Sequence, residues 1–405
     1  MKYLSVFAFL VMISCETKKT PMQNEVILFD TIPGTFAFDR AFLKKNKDVI
    51  ELGKGKARLL IVNDYQARVM TSTANGEAGN SYGWMNYSLI QSGKLHPHIN
   101  PFGGEDRFWL GPEGGQYALY FKKGDSFDFD HWQTPALIDT EPFDVVNIDS
   151  TQASFRKSST IANYQGFTFQ IEIERKIKLL DEASIEEEFG ISTGYLNAVA
   201  FQSENSITNS GKENWTRQNG LLSIWILGMF NPSDQTVIVL PYKKTSEKNM
   251  VTDNYFGIIP SDRIKKTDSA LLLKGDGKYR GKVGIAPSIA RNMAGSYDEV
   301  KRVLTLVKFD IDKKGTYVNS KWEQQKEPYR GDVVNAYNDG PQADGSQLGP
   351  FYELESSSPA KELKKGEKLI HRHITLHLEG DEAALNQIAE KILGVSLIDL
   401  SLTFN

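Results

Sequence analysis

The stretch Phe167-Thr168-Phe169-Gln170-Ile171-Glu172-Ile173-Glu174-Arg175-Lys176-Ile177-Lys178-Leu179 decides the fold class. Phe167, Phe169, Ile171, Ile173, Ile177 and Leu179 fall on one side of an extended chain, and Thr168, Gln170, Glu172, Glu174 and Lys176 on the other. Successive side chains of a strand point to opposite faces, so this period of two predicts a long strand with one face buried. Arg175 interrupts the apolar set, which marks either a bulge or a buried pair.

The same period spreads in both directions. Lys56 to Ser72 holds two β-rich runs around Asn63-Asp64. Further strands are expected at 183–192, 198–205, 220–229, 235–242, 270–273, 282–286, 303–309, 351–355 and 369–378. Turn chemistry separates them at Asn209-Ser210-Gly211, Asn231-Pro232-Ser233-Asp234 and Lys274-Gly275-Asp276-Gly277. Helix is scarce. The best candidate is Glu382 to Leu393, with apolar residues at helical spacing, Asp381 to cap its start and Gly394 to end it. No internal repeat, low-complexity segment or later linker interrupts the chain. Residues 25–405 are therefore expected to form a single all-β domain, a large antiparallel sandwich or pair of fused sandwiches with a short C-terminal helix.

The N-terminus reads as an address. Lys2 precedes an apolar run, Tyr3 to Ile13, that is too short to span a bilayer. The run ends at Ser14-Cys15, and Cys15 is the chain's one cysteine. Residues 1–15 resemble a bacterial lipoprotein signal, with Met12 where leucine is commoner. That resemblance implies cleavage before Cys15 and lipidation of its thiol; an ordinary signal peptide with an incidental cysteine is the alternative. Residues 16–24 read as a flexible tether. The expected location is the bacterial cell envelope, outer membrane or facing the periplasm, with the lipid anchor as the only membrane contact. A net charge of -4 leaves no basic footprint for nucleic acid.

Candidate chemistry starts at Gly103-Gly104-Glu105-Asp106-Arg107-Phe108-Trp109-Leu110-Gly111-Pro112-Glu113-Gly114-Gly115-Gln116. Its glycines imply sharp bends or close approach. Glu105, Arg107, Trp109, Glu113 and Gln116 suit a polar, ring-shaped ligand, and a tight surface loop with paired charges is the bland alternative. Glu353 and Glu355 are two apart on an expected strand, so they share a face and raise each other's pKa, which suits acid or base work near neutral pH. His371, His373 and His377 also share a strand face. His-x-His can ligate a metal, but roughly 20 Å separates the outer two at strand rise, so at most two could join one site. A pocket wall or an exposed face explains them equally well, and no metal is assigned. His96 and His98 lie in a proline-stiffened loop. His131-Trp132 could contact a sugar, whose apolar ring faces stack on aromatics. Asn335, Asn338 and Asp339 are turn residues first, and sugar or calcium ligands second. No phosphate-binding glycine loop, Gly-x-Ser-x-Gly elbow or dinucleotide fingerprint is present, so no cofactor is expected.

Taken together, Tyr65-Gln66-Ala67-Arg68-Val69, Ser206-Ile207-Thr208-Asn209, Tyr352 to Pro359 and Lys365-Gly366-Glu367 resemble, in order and spacing, elements of the galactose-mutarotase-like β-supersandwich. The closer likeness is to an uncharacterised group of bacterial mutarotase-like lipoproteins, through Gly103–Gln116, Gly331–Pro341 and Gly349–Pro359. The resemblance implies a concave carbohydrate pocket and puts Glu355 at the position of the general base. The family's acid is a histidine soon after the Thr-Asn turn, and Lys212 to Met229 contains none. The expectation is an envelope lipoprotein that binds a carbohydrate. Arg68, Glu105, Arg107, Trp109, Glu113, Trp132, Asn338 and Asp339 would contact ligand. Glu355 would be the base, with His131 or a protonated Glu353 as acid. A non-catalytic glycan-binding lipoprotein is the second reading. The third is an accessory of acidic-polysaccharide lyases or hydrolases, with Arg68 and Arg107 holding uronate carboxylates.

Overall fold

The computed structural model describes residues 29–404 apart from Asn249 and Ala343. The leader, Cys15 and the tether lie outside the described residues. Among the described residues the strands form three antiparallel sheets. The largest has ten strands in the order Ile264–Lys266, Ala270–Lys274, Thr236–Pro241, Met293–Asp298, Val303–Phe309, Lys368–Glu379, Asn197–Asn209, Thr168–Leu179, Gln152–Ala162 and Asp144–Ile148. The second has six: Val251–Thr252, Gly281–Ile285, Val334–Asn338, Tyr352–Ser357, Ser223–Phe230 and Arg107–Gly111. The smallest joins Ile50–Lys54, Ala57–Val62 and Arg68–Thr73. The expected all-β supersandwich is the fold found.

Alternation along each strand builds the core. Phe169, Ile171, Ile173 and Ile177 are buried, while Thr168, Gln170 and Lys176 are exposed. Phe108, Leu110, Ile224 and Ile226 of the six-stranded sheet pack with Phe169, Ile171, Phe201 and Ile207 of the ten-stranded sheet. Further along, Val283, Ala336 and Leu354 meet Ile238, Leu240, Val307 and Phe309. Each such aliphatic side chain contributes about 1.5–3 kcal/mol by leaving water. Arg175 lies within this core, and the strand keeps its register through it, so no bulge forms. Its guanidinium is fully buried and bonds the Asp106 carboxylate, Asn205 Oδ1 and the Ala67 carbonyl.

The helix Glu382–Leu393 has the expected bounds. Asp381 accepts from the Ala384 N–H at 2.9 Å, and Gly394 closes the helix with a φ of 74°. Leu385, Ile388 and Ile392 cover the other face of the ten-stranded sheet, against Val237, Val239, Leu304 and Leu376. Other helices depart from expectation, the short ones at Tyr87–Ser92, Ala136–Asp139 and Leu397–Ser401 among them. Residues 183–192, read above as a strand, instead contain the helix Glu182–Phe189. Asp181 caps it through the Ser184 N–H, Gly190 ends it in the left-handed region, and Ile185 and Phe189 bury one stripe. The helix Phe36–Asn46 was not anticipated; Thr35 caps it and Phe36 and Leu43 are fully buried.

The histidine strand faces the space between the sheets, away from solvent, and His377 also borders a small cavity lined by Tyr82, Phe230 and Tyr352. His371, His373 and His377 are all fully buried. Ser356 Oγ lies 2.8 Å from both His371 Nε2 and His373 Nδ1. His377 lies between Thr305 Oγ1 and Glu105, at 2.9 Å from each.

Candidate functional site

The outward face of the six-stranded sheet carries the polar residues. Strand register sets them in rows. One row runs Met229, Glu353, Tyr337 and Lys282 across four neighbouring strands. The next runs Arg107, Leu227, Glu355 and Asn335. Trp109 and Trp225 pair in a third. Because side chains alternate, the intervening Phe108, Ile226 and Leu354 point into the core while these residues share the opposite face.

Loops over this face enclose a cavity of about 610 Å3, open space at its mouth included. Trp109, Trp132, Trp225, Trp322, Phe129 and Phe351 supply its aromatic walls, and Arg107, Glu113, Arg280, Lys282 and Glu353 its charges. Trp132 stacks between Tyr120 and Trp322, with ring centroids 5.9 and 5.7 Å away. Trp109 Nε1 and Trp132 Nε1 are buried with no hydrogen-bond partner among the described residues.

Two ion pairs organise the floor. Arg107 Nη2 donates to Glu353 Oε1 at 2.7 Å, and the guanidinium lies 4.1 Å from the Trp109 ring centroid. Lys282 Nζ donates to Glu355 Oε2 at 2.9 Å; the Trp225 indole N–H donates to the same oxygen at 2.9 Å. Burial pushes the Glu353 carboxyl up; Arg107 opposes that and Glu355 adds to it. Burial also raises Glu113, with Lys282 opposing and Glu355 reinforcing. At Lys282, burial works against the ammonium, and Glu355, Glu113 and Glu353 together outweigh it, so the group is held above its ordinary value. The result is an aromatic slot with two carboxyls that hold protons more tightly than usual. Such groups can exchange protons with a bound hydroxyl or ring oxygen near neutral pH.

Of the residues singled out in the sequence, Arg107, Trp109, Glu113, Trp132 and Glu353 line this cavity. Glu355 is fully buried beneath its floor, reaching it only through Lys282 and Trp225. Arg68 and Glu105 are elsewhere. Arg68 is fully buried, donating to the Gly103 carbonyl at 3.0 Å and Gln66 Oε1 at 3.1 Å. Glu105 accepts from Ser72 Oγ at 2.9 Å and faces His377. His131 sits on the surface beside Asp128, 2.6 Å away, which holds its imidazole above the usual histidine value. Asn338 and Asp339 brace loops. Asn338 accepts from the Gly277 N–H and donates to the Tyr279 carbonyl, each at 2.8 Å. Asp339 accepts from the Tyr337 hydroxyl at 2.6 Å and the Gly349 N–H at 2.9 Å.

Sequence reasoning passed over Trp225, Lys282, Arg280 and Trp322. Trp225 alternates with Ile224 and Ile226, so its strand is apolar on both faces and gives no sign of which face is the site. A lone lysine inside a β-run was the available signal for Lys282.

A family model described as a family of unknown function (DUF6786) matches residues 34–404. No curated protein matches the chain. Among solved structures, the Slr1438 protein from Synechocystis sp. PCC 6803 is similar, with a TM-score of 0.51 and 12% identity over 83% of this chain and 96% of that one. A galactose mutarotase-like protein from Lactobacillus casei has a TM-score of 0.48 and 12% identity, over 82% of this chain and 100% of its own. A galactose mutarotase related enzyme from Lactobacillus acidophilus has a TM-score of 0.45 and 10% identity, over 82% and 98%.

Proposed function

We propose, for a chain that belongs to the family of unknown function DUF6786, that it binds a neutral carbohydrate in the cavity on the six-stranded sheet. One observation carries this: indoles from four separate segments wall a single cavity into which Arg107, Glu113, Arg280, Lys282 and Glu353 also converge. Apolar ring faces of a sugar stack on aromatics while its hydroxyls take directional hydrogen bonds. The sequence resemblance to mutarotases supports the same ligand class.

Charge argues for a neutral sugar. Of the three cations at the cavity, Arg107 is paired with Glu353 and Lys282 with Glu355, and Arg280 lies 4.0 Å from the Phe256 ring centroid. Arg107 is committed to Glu353, and Arg68 is outside the cavity, so neither is free to hold a uronate.

If the cavity is catalytic, Glu353 and Glu113 are the proton carriers, since both line it and burial raises both. In anomer exchange one carboxylate takes the proton of the anomeric hydroxyl while the other carboxyl protonates the ring oxygen. The ring opens to the aldehyde, and the reverse transfers close it on the other face. Glu355 then acts as a positioning residue through Lys282. The non-catalytic reading keeps the same pocket, and the hold of Arg107 on Glu353 favours it. Polarimetry on freshly dissolved aldoses separates the two. Exchange that is accelerated by the protein and lost in Glu113→Gln supports catalysis; sugar binding without acceleration leaves a binding protein. Attachment to the envelope through a lipidated Cys15 belongs to the same proposal, supported by the leader sequence.

A further inference from the structure

The aromatic pocket shares a wall with a second cavity. Phe256 and Trp322 line the first; their chain neighbours Tyr255 and Lys321 line the second, which holds about 1450 Å3 of open space. Tyr255 is the partition. Its ring centroid is 5.7 Å from Lys282 Nζ, on the floor of the first cavity. Its hydroxyl donates to Asp332 Oδ2 at 2.7 Å and accepts from Asn335 Nδ2 at 3.2 Å. Asn335 in turn faces Glu355 across the strand pair. Both cavities thus stand on one face of one sheet. From the strand of Trp225 to that of Thr252 is four steps in strand order, or about 19 Å at the usual strand spacing. That is far longer than one sugar ring.

The second cavity differs in chemistry. Its lining includes Asn254, Asn319 and Lys321. No hydrogen bond or salt bridge engages the Lys321 ammonium or the Asn254 amide among the described residues, so both are available to a ligand. Glu247, Asp253, Glu327 and Asp332 outnumber Lys321 and Arg330 around it, which disfavours acidic units.

We propose that the ligand is a neutral oligosaccharide: one ring stacks in the aromatic pocket, and the following units pass Tyr255 into the polar cavity, where Lys321 and Asn254 bind their hydroxyls. This rests on the carbohydrate reading of the first pocket and adds its substrate class. Hydroxyl-bearing chains suit a wet, polar extension, where bridging water serves nearly as well as direct contact.

The test is calorimetric titration of the mature protein with D-glucose and D-galactose, and with cellotetraose, maltotetraose and β-1,4-galactotetraose. At least one tetrasaccharide is expected to bind tenfold or more tighter than its monosaccharide. Lys321→Ala or Asn254→Ala should remove at least fivefold of that gain and leave monosaccharide affinity unchanged. Equal affinity for both lengths, with monosaccharide binding still weakened by Trp322→Ala, overturns the second subsite and leaves the first pocket standing. A length gain that survives both substitutions in the polar cavity overturns it as well. No binding at either length contradicts the carbohydrate reading itself, and this extension with it.

Discussion

Lys282 Nζ lies 2.9 Å from Glu355 Oε2, joining a carboxylate closed off from solvent to a lysine that lines the pocket. The pair turns a buried acid into a support for the pocket floor. The Trp225 indole N–H donates to the same carboxylate oxygen, so the position of its indole wall is tied to the same charge.

Breaking that pair leaves a buried charge unmatched. Lys282→Met is expected to cost about 3–5 kcal/mol of stability, the usual penalty for removing one partner of a buried pair. The double variant Lys282→Met with Glu355→Gln should lose less than Lys282→Met alone. Urea unfolding of the wild type, both single variants and the double variant checks this; a double variant that loses the full sum of the singles would show the pair is not coupled.

Gly103 has a φ of 97°, and a Cβ there would sit 2.0 Å from the Trp84 carbonyl oxygen. Gly124 has a similar φ of 91° with nothing within 4 Å. Gly124→Ala should therefore cost only the backbone penalty, about 1–2 kcal/mol. Gly103→Ala should cost at least about 2 kcal/mol more, because main chain must move. The comparison of their urea midpoints isolates the close approach from the conformation.

The buried histidines weaken the fold in acid, and the buried carboxyls work against them. Burial lowers His371 to about 3, with His373 adding to the effect, and burial lowers His373 to about 4, both from 6.5. The unfolded chain therefore takes up protons on these groups first as pH falls. Their stabilising contribution is complete above about pH 6.5 and is lost progressively toward pH 3–4. Between pH 7 and pH 5 the two together should remove about 3–4 kcal/mol. Asp39 works in the opposite direction. Burial lifts it to about 6 against hydrogen bonds from Ser81 and Tyr87, so protonation below pH 6 returns about 1–2 kcal/mol. Glu353, lifted to about 8 by burial, returns stability in the same way as Asp39, so the histidine effect is read by difference: in urea titrations at pH 7, 6 and 5 the wild type should lose about 2 kcal/mol relative to His373→Gln.

The leader predicts where the protein sits. Wild-type protein should take up labelled fatty acid and fractionate with membranes, and Cys15→Ser should abolish labelling and release it. Labelling unchanged in Cys15→Ser would contradict lipidation at that thiol.

Much of the fold was legible because strands with one buried face write their period into the sequence. The strand at 167–179, the strand Val303–Phe309 and the helix Glu382–Leu393 could all be read from spacing and caps. The helix at Glu182–Phe189 was obscured by its short length, although Asp181 and Gly190 were there to mark it. The site was only half legible. Arg107, Trp109, Glu113 and Trp132 stood out as charged or aromatic residues in glycine-rich or acidic loops. Arg68 and Glu105 looked the same by residue type, yet they satisfy buried main-chain and side-chain groups. Trp225 and Lys282 come to the pocket through strand order, which places segments more than fifty residues apart side by side, and no local pattern carries that.

The most direct test of the central claim is calorimetric titration of the wild type and Trp322→Ala with a panel of neutral aldoses. Trp322 is half-buried, stacks on Trp132 and meets Phe121 edge-on, so its loss should lower the melting temperature, and the titrations are run well below that of the variant. At least one sugar is expected to bind the wild type, and Trp322→Ala to weaken that binding tenfold or more. Absence of binding by every sugar, or equal affinity in the two proteins, would contradict it.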